Sequence, residues 1–253
     1  MRIAALYDIH GNLPALDAVL ADVVRAGADR IVVGGDVLPG PMPGETLARL
    51  CSLDLPTDFL RGNGDRETVE ERPDRPSPIP EAARAQLRWC RAQLDDGQAL
   101  AIEAWPATLR HEVPGLGSVL FCHATPRNDT EVVTHLIPEP LLQPIFDGVA
   151  DLVVCGHTHV QFDVTVGRTR VVNAGSVGMS FAQPGAYWLL IDGDGVELRR
   201  TTYDLEAAAA DVRRTAFPNA EEFASVYILQ PPDMLQTFTQ YGLHALQAAT
   251  HGA

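Results

Sequence analysis

The chain reads as an α/β (α+β) protein with two β-sheets, and three observations carry that reading. Short apolar runs rich in β-branched residues recur along it, each stopped by glycine or a polar turn. The first two such runs flank a segment of helical period. Beyond residue 160, four further runs follow one another at hairpin spacing.

Element by element, Ile3 to Tyr7 is the first strand. Asn12 to Ala26 places Leu13, Leu16, Val19, Leu20 and Val23 on one helical face, with Pro14 near its start and Gly27 after its end. Ile31 to Val33 is the next strand, so the chain opens β-α-β. Phe59-Leu60, Val119 to Cys122 and Leu152 to Cys155 are further buried strands. Arg72-Pro73 to Pro80 is a proline-rich, charged connector into an amphipathic helix over Glu81 to Leu94. The helical insertion, Glu81 to about Ile102 within a segment of about 80–104, lies where a cap over a cleft would sit. Runs at Gln161 to Val166, Arg170 to Asn173, Tyr187 to Ile191 and Val196 to Tyr203 predict a second, antiparallel sheet, with hairpins at Gly167 and Gly193-Asp194-Gly195. From Asp204 an alanine-rich helix runs to Thr215, followed by helical segments over 220–227 and 233–249 that Pro231-Pro232 separates. Met234, Leu235, Phe238, Tyr241 and Leu246 give the last helix an apolar face, to pack on the body or on a second copy.

Composition bounds the function. At 253 residues the chain can bury a large core as a single domain, 1–253, with the insertion and a helical C-terminal extension of about 204–250. It has no run of about 18 apolar residues to cross a membrane, and Met1-Arg2-Ile3 leads straight into a strand, so a cytoplasmic protein is expected. With 33 acidic against 19 basic residues and a net charge of −14, an extended nucleic acid is a disfavoured partner. Cys51, Cys90, Cys122 and Cys155 form no C-x-x-C pattern, and Cys122 and Cys155 read as small buried hydrophobes.

Chemistry is carried by five motifs in fixed order: Asp8-Ile9-His10, Gly35-Asp36, Gly62-Asn63-Gly64-Asp65, His123 and Gly156-His157-Thr158-His159. Each follows an apolar run. Strands of an open sheet end along one edge, so ligands just past their carboxyl ends converge on one crevice. Carboxylates, imidazoles and an amide in that number suffice for two first-row divalent ions.

The ordered set resembles the calcineurin-like metallophosphoesterase superfamily, in the manner of its small bacterial and archaeal phosphodiesterase-type branch, over about the first three quarters of the chain. The resemblance implies two mixed sheets packed face to face and flanked by helices, a four-layer α-β-β-α sandwich. It implies that Asp8, His10 and His159 hold one metal, that Asn63, His123 and His157 hold the other, and that Asp36 bridges them. Manganese heads the metals expected, with Fe, Ni, Co or Zn compatible with the same ligands. Two ions bring four positive charges, against three negative ones from Asp8, Asp36 and a bridging hydroxide, so the site draws in a phosphate ester despite the acidic chain. Hydrolysis through that hydroxide is the implied mechanism.

One position departs from the family. Gly64 stands where most members carry a histidine that helps protonate the leaving group, with Asp65 to orient it. General acid help is worth about 10²–10⁴-fold, so a substrate whose leaving group departs unprotonated is favoured. The expected function is thus hydrolysis of a small phosphodiester or nucleotide-type phosphoanhydride, with Asn63 and Asp65 as catalytic residues. A monoesterase or serine/threonine protein phosphatase is the alternative within the same chemistry, Arg66 or the His135 region then filling the space at Gly64, and a non-catalytic metal-binding scaffold is a third reading. Arg127, in the loop after His123, suits bidentate contact with a second phosphate or a nucleotide, or else is a solvent-facing loop arginine. Asn12 either caps the first helix or meets the substrate. Asn173 to Ser176 reads as a structural turn behind the metal loops.

Overall fold

A computed structural model describes residues 1–74 and 76–251, with side chains to 249; Arg75 of the connector, the side chains of Thr250 and His251, and residues 252–253 lie outside that description. The β-α-β opening is present as β1 (Ile3–Leu6), α1 (Leu13–Arg25) and β2 (Arg30–Val33), followed by α2 (Pro43–Cys51), β3 (Thr57–Phe59) and α3 (Asn63–Glu70). β1, β2 and β3 are parallel neighbours. The insertion folds as α4 (Glu81–Ala92) and α5 (Asp96–Ala104), after which come β4 (Thr108–Val113), β5 (Gly117–Cys122), α6 (Glu139–Phe146) and β6 (Leu152–Cys155). Two hairpins follow, β7 (Phe162–Val166) with β8 (Thr169–Asn173) and β9 (Ala186–Asp192) with β10 (Gly195–Thr201). The chain continues through α7 (Leu205–Arg213), α8 (Ala220–Glu222), a π-helical stretch at Phe223–Leu229 and α9 (Leu235–His251).

The two hairpins do not form one antiparallel sheet, as their local pattern predicts. They divide: β9 pairs antiparallel with β1, giving the order β10-β9-β1-β2-β3, while β8 pairs parallel with β6 in a second sheet, β4-β5-β6-β8-β7. Each sheet is therefore mixed. Both hairpins receive the same alternating pattern from sequence, and only long-range packing decides which sheet each joins.

Period-two alternation sorts side chains into layers. Ala4, Leu6, Ile31 and Val33 point from the first sheet toward Leu16, Val19 and Leu20 of α1 and Leu47 of α2. On its other face Ile3, Ala5, Tyr7 and Val32 meet Val119, Phe121, Leu152 and Val154 of the second sheet. The far face of that sheet, including Val153 and Cys155, packs on Leu142 and Ile145 of α6 and Leu246 of α9. Helix, sheet, sheet and helix thus form four layers. The Tyr7 hydroxyl, fully buried, donates to the Val154 carbonyl at 3.1 Å and pins one sheet to the other next to the first ligand loop.

Cys90, Cys122 and Cys155 are buried free thiols and Cys51 is exposed, in keeping with the absence of a disulfide framework. Burial pushes the Cys90 thiol up to about 12 while it exchanges hydrogen bonds with the Gly40 backbone.

Candidate metal centre

The loops after β1, β2, β5 and β6, together with the start of α3, bring the motifs together, but from two sheets rather than one sheet edge. Asp8, His10 and His159 form one group whose ligand atoms all lie within 4.8 Å of one another, and Asp36, His123 and His157 form another. Asp36 touches both, its Oδ2 lying 3.8 Å from His10 Nε2 and 3.4 Å from His123 Nε2. Its other oxygen, Oδ1, accepts from the Gly64 N–H at 2.7 Å.

The donor set fits a pair of cations. His10 Nδ1 lies 3.0 Å from the Pro39 carbonyl, His123 Nδ1 3.0 Å from the Gly34 carbonyl and His159 Nδ1 2.5 Å from the Met179 carbonyl. A carbonyl oxygen only accepts, so each Nδ1 carries a proton and each Nε2 is the atom turned inward. His10 Nε2 and His159 Nε2 then face each other at 3.2 Å, two lone pairs with nothing but a proton or a cation to reconcile them. Asp8 Oδ1 is buried without a hydrogen-bond partner, with His159 Nε2 at 3.2 Å. Its second oxygen takes the His157 N–H at 2.9 Å. The Asn63 amide oxygen sits 3.2 Å from His123 Nε2, and the same end of the amide lies 3.0 Å from His157 Nδ1. Turned over, the amide would donate to those nitrogens and to the Asp129 carbonyl at 3.2 Å and accept from the Gly64 N–H at 3.2 Å; a bound cation would instead hold the oxygen inward. An unpartnered buried carboxylate oxygen among lone pairs is costly unless a charge fills the gap.

Backbone strain marks the same positions. Asp8, His10, Asp36, His157 and His159 all have positive φ, between 46° and 66°, and among the described non-glycine residues only Asn219 joins them. Such strain costs of order 1–3 kcal/mol each and persists where the surroundings over-determine it. Here they do. The Ser176 hydroxyl and the Gly178 N–H both donate to the Asp8 carbonyl, and the Asn173 amide donates to Gly156 O and Thr158 Oγ1.

Electrostatics follow burial and neighbours. Burial alone would raise Asp8, but the imidazoles of His159 and His123 outweigh it and hold the carboxyl below its usual range; Asp36 is lowered in the same way, chiefly by His123. Burial would lower His123, yet Asp36 and Asp8 reverse that and raise it to about 10. Burial and the neighbouring His123 bring His157 down to about 4.

The sequence model of the calcineurin-like phosphoesterase superfamily domain matches residues 1–194. The chain belongs to the calcineurin-like phosphoesterase superfamily. It is a metallophosphoesterase, a hydrolase acting on phosphoric ester bonds. It is 25% identical over 240 residues to a protein of Methanocaldococcus jannaschii described as uncharacterized, covering 85% of this chain and 93% of that one. Its fold is similar to that of a hypothetical protein from Pyrococcus horikoshii (TM-score 0.77, 19% identity, 91% of this chain and 99% of the other). It also resembles a metallophosphoesterase from Sphaerobacter thermophilus (TM-score 0.70, 24% identity, 90% and 99%).

The structure places three further candidate residues of the phosphoesterase. Asn12 is fully buried: its amide oxygen caps α1 at the Ala15 N–H, 3.2 Å away, and its NH2 group donates to Gly178 O and Tyr203 Oη, so it has no face left for a substrate. Asp65 is also fully buried and accepts from the Leu38 N–H at 3.0 Å and the Gly62 N–H at 3.1 Å, which makes it a brace between two ligand loops, not the partner of an acid. Arg127 does reach a cavity beside His123, but its guanidinium pairs with Glu131. The space at Gly64 is not filled by Arg66, which grips Asp129 at 2.7 and 3.1 Å, and His135 lies against the Phe162 ring. A Cβ on Gly64 would sit 2.4 Å from the Leu38 carbonyl oxygen, so the backbone itself occupies the site of the missing side chain.

Two contributions were not anticipated. Arg61 lines the cavity beside His123, with no signal beyond its place before Gly62. Phe181 stacks on His159 at 4.9 Å and 14° and touches Phe238 of α9, so the C-terminal extension backs one of the candidate ligands.

Proposed function

We propose that the phosphoesterase hydrolyses a small phosphodiester or nucleotide-type phosphoanhydride with two divalent ions, manganese foremost. Asp8, His10 and His159 would hold one ion, Asn63, His123 and His157 the other, with Asp36 between them. The observation that carries this is the meeting of Asp36 with both ligand groups around the unpartnered Asp8 oxygen. Bound there, the ions would supply Lewis acidity toward phosphoryl oxygens and lower the pKa of water.

The chain's own residues do the rest. Backbone carbonyls fix the tautomers and orientation of His10, His123 and His159. The Gly64 N–H aims the Asp36 carboxylate. No side chain at position 64 can hand a proton to a leaving oxygen, and the Leu38 carbonyl excludes one. Substrates whose leaving group is an acidic phosphate, phenolate or nucleotide are therefore favoured over serine phosphate, which argues against a protein phosphatase.

The test strips the protein of metal, reloads it with Mn, Ni or Zn, and compares a nitrophenyl monoester with the bis-nitrophenyl diester. Faster diester cleavage is expected, with Asp36→Asn losing both metal binding and turnover. Retained turnover in that variant, or a faster monoester, would overturn the reading.

A further inference from the structure

The cavity beside His123 has a volume of about 230 Å³, and Arg61, Thr125, Arg127, Asn128 and Asp129 line it together with that histidine. Its charges nearly cancel in pairs. Arg127 is neutralised by Glu131, and Asp129 is held bidentately by Arg66. Arg61 is the exception. Its Nη1 donates to the Glu103 carbonyl at 3.0 Å, and among the described residues no carboxylate pairs with its guanidinium. Its own N–H is anchored on the Pro106 carbonyl at 2.9 Å, so its backbone is held against the segment that leads into β4. Arg61 therefore brings to the cavity wall one positive charge that no carboxylate among the described residues pairs with, and its Nε and Nη2 make no hydrogen bond there, next to a candidate metal ligand and in a chain of net charge −14.

A simple phosphodiester carries one negative charge, which the proposed metals would meet. We infer that Arg61 binds the second, leaving phosphate of a phosphoanhydride whose scissile phosphorus lies at the metal pair. The inference rests on the function proposed above and narrows it. In the reaction water adds its oxygen to the scissile phosphorus and gives its protons to solvent, the bond from that phosphorus to the bridging oxygen breaks, and the bridging oxygen keeps the electron pair as part of a phosphate anion. Such a group leaves without a proton. The missing acid at Gly64 and the unpaired cation at Arg61 thus select the same bond, because a fixed guanidinium stabilises the anion that an acid would otherwise protonate.

The test compares a pyrophosphate-bridged dinucleotide with bis-nitrophenyl phosphate in the manganese-loaded enzyme and its Arg61→Gln and Arg61→Lys variants. Thermal melting of each accompanies the kinetics, since both variants alter the bond to Glu103. The ratio of kcat/KM for anhydride over diester should fall about ten- to hundredfold in Arg61→Gln, the size expected for charge-assisted hydrogen bonds, and recover in part in Arg61→Lys. An equal fall on both substrates would show a structural role and overturn the inference, as would no change. If the wild-type enzyme cleaves neither substrate, the hydrolytic reading fails, and binding decides the subsite separately. By calorimetry an α,β-methylene nucleoside diphosphate should bind more tightly than the monophosphate, with the preference lost in Arg61→Gln. Equal binding of the two by the wild type would overturn it.

Discussion

At Asp8 a buried carboxylate oxygen has no hydrogen-bond partner, and 3.9 Å from it His123 answers the same shortage of positive charge in another way. With no metal to balance them, Asp36 and Asp8 raise the His123 imidazole to about 10 against the opposing effect of burial, so at pH 7 it carries a proton on each nitrogen. The proton on Nδ1 is held by Gly34 O and stays; the one on Nε2 stands where a metal would bind and must leave. Metal binding is therefore expected to release a proton from this ring at any pH between 7 and about 10, and affinity should climb as pH rises through that window. His157, held near 4, is already neutral there and releases none. Calorimetric titration in two buffers of different ionisation enthalpy measures the release. Identical heats in both buffers would contradict the proposed coordination by His123.

Among the elements, α3 decides how closely the ligand loops approach. Its second residue, Gly64, touches the Leu38 carbonyl and donates to Asp36, so even one added carbon must displace backbone that carries a proposed ligand. Gly64→Ala is expected to cost about 1–3 kcal/mol in urea unfolding and to weaken metal binding, although alanine is the better helix former. A stabilised Gly64→Ala protein would show that the loop yields. At the other end of α3, the Glu71 side chain is 5% exposed and joins Arg84 at 2.7 Å and Arg88 at 3.2 Å, tying α4 to α3. The bond to Arg84 holds the Glu71 carboxyl below its usual value of 4.5, so its contribution is complete above that pH and lost as pH falls through the lower folded value. Glu71→Gln should lower the urea midpoint at pH 7 and converge on the wild type as pH falls below the lowered value of the carboxyl. Equal midpoints at pH 7 would mean that the pair does not secure the helix.

Over the whole molecule, the meeting of the candidate ligands was legible in sequence because Asp8, Asp36, His123 and His157 each follow a short apolar strand within a few residues, and loops past such strand ends gather together. What was not legible depends on contacts made at long range. The hairpin of β9 and β10 joins β1 because the edge of that sheet is open to it, a fact absent from its own alternation. β4 is concealed by Arg110, His111 and Glu112, and α6 by Pro140 and Pro144, so neither shows its element in local pattern. Arg127 and Arg61 look alike as loop arginines; only the fold supplies Glu131 to one and leaves the other without a carboxylate. The same long-range construction would make a metal bound by the proposed ligands a structural tie, since Asp8, Asp36 and Asn63 come from the first sheet's side and His123, His157 and His159 from the second's. A ligand that binds only the folded state stabilises by about 2.7 kcal/mol at a hundred times its Kd. For a chain of this size that corresponds to about 5–10 °C in Tm. Scanning calorimetry of chelator-treated protein with and without manganese should show that rise, and Asp36→Asn, which removes a carboxylate charge shared by both groups, should lose most of it. A full shift in Asp36→Asn would place the stabilising ion elsewhere, and no shift in the wild type would mean that the sheets hold these side chains together without metal.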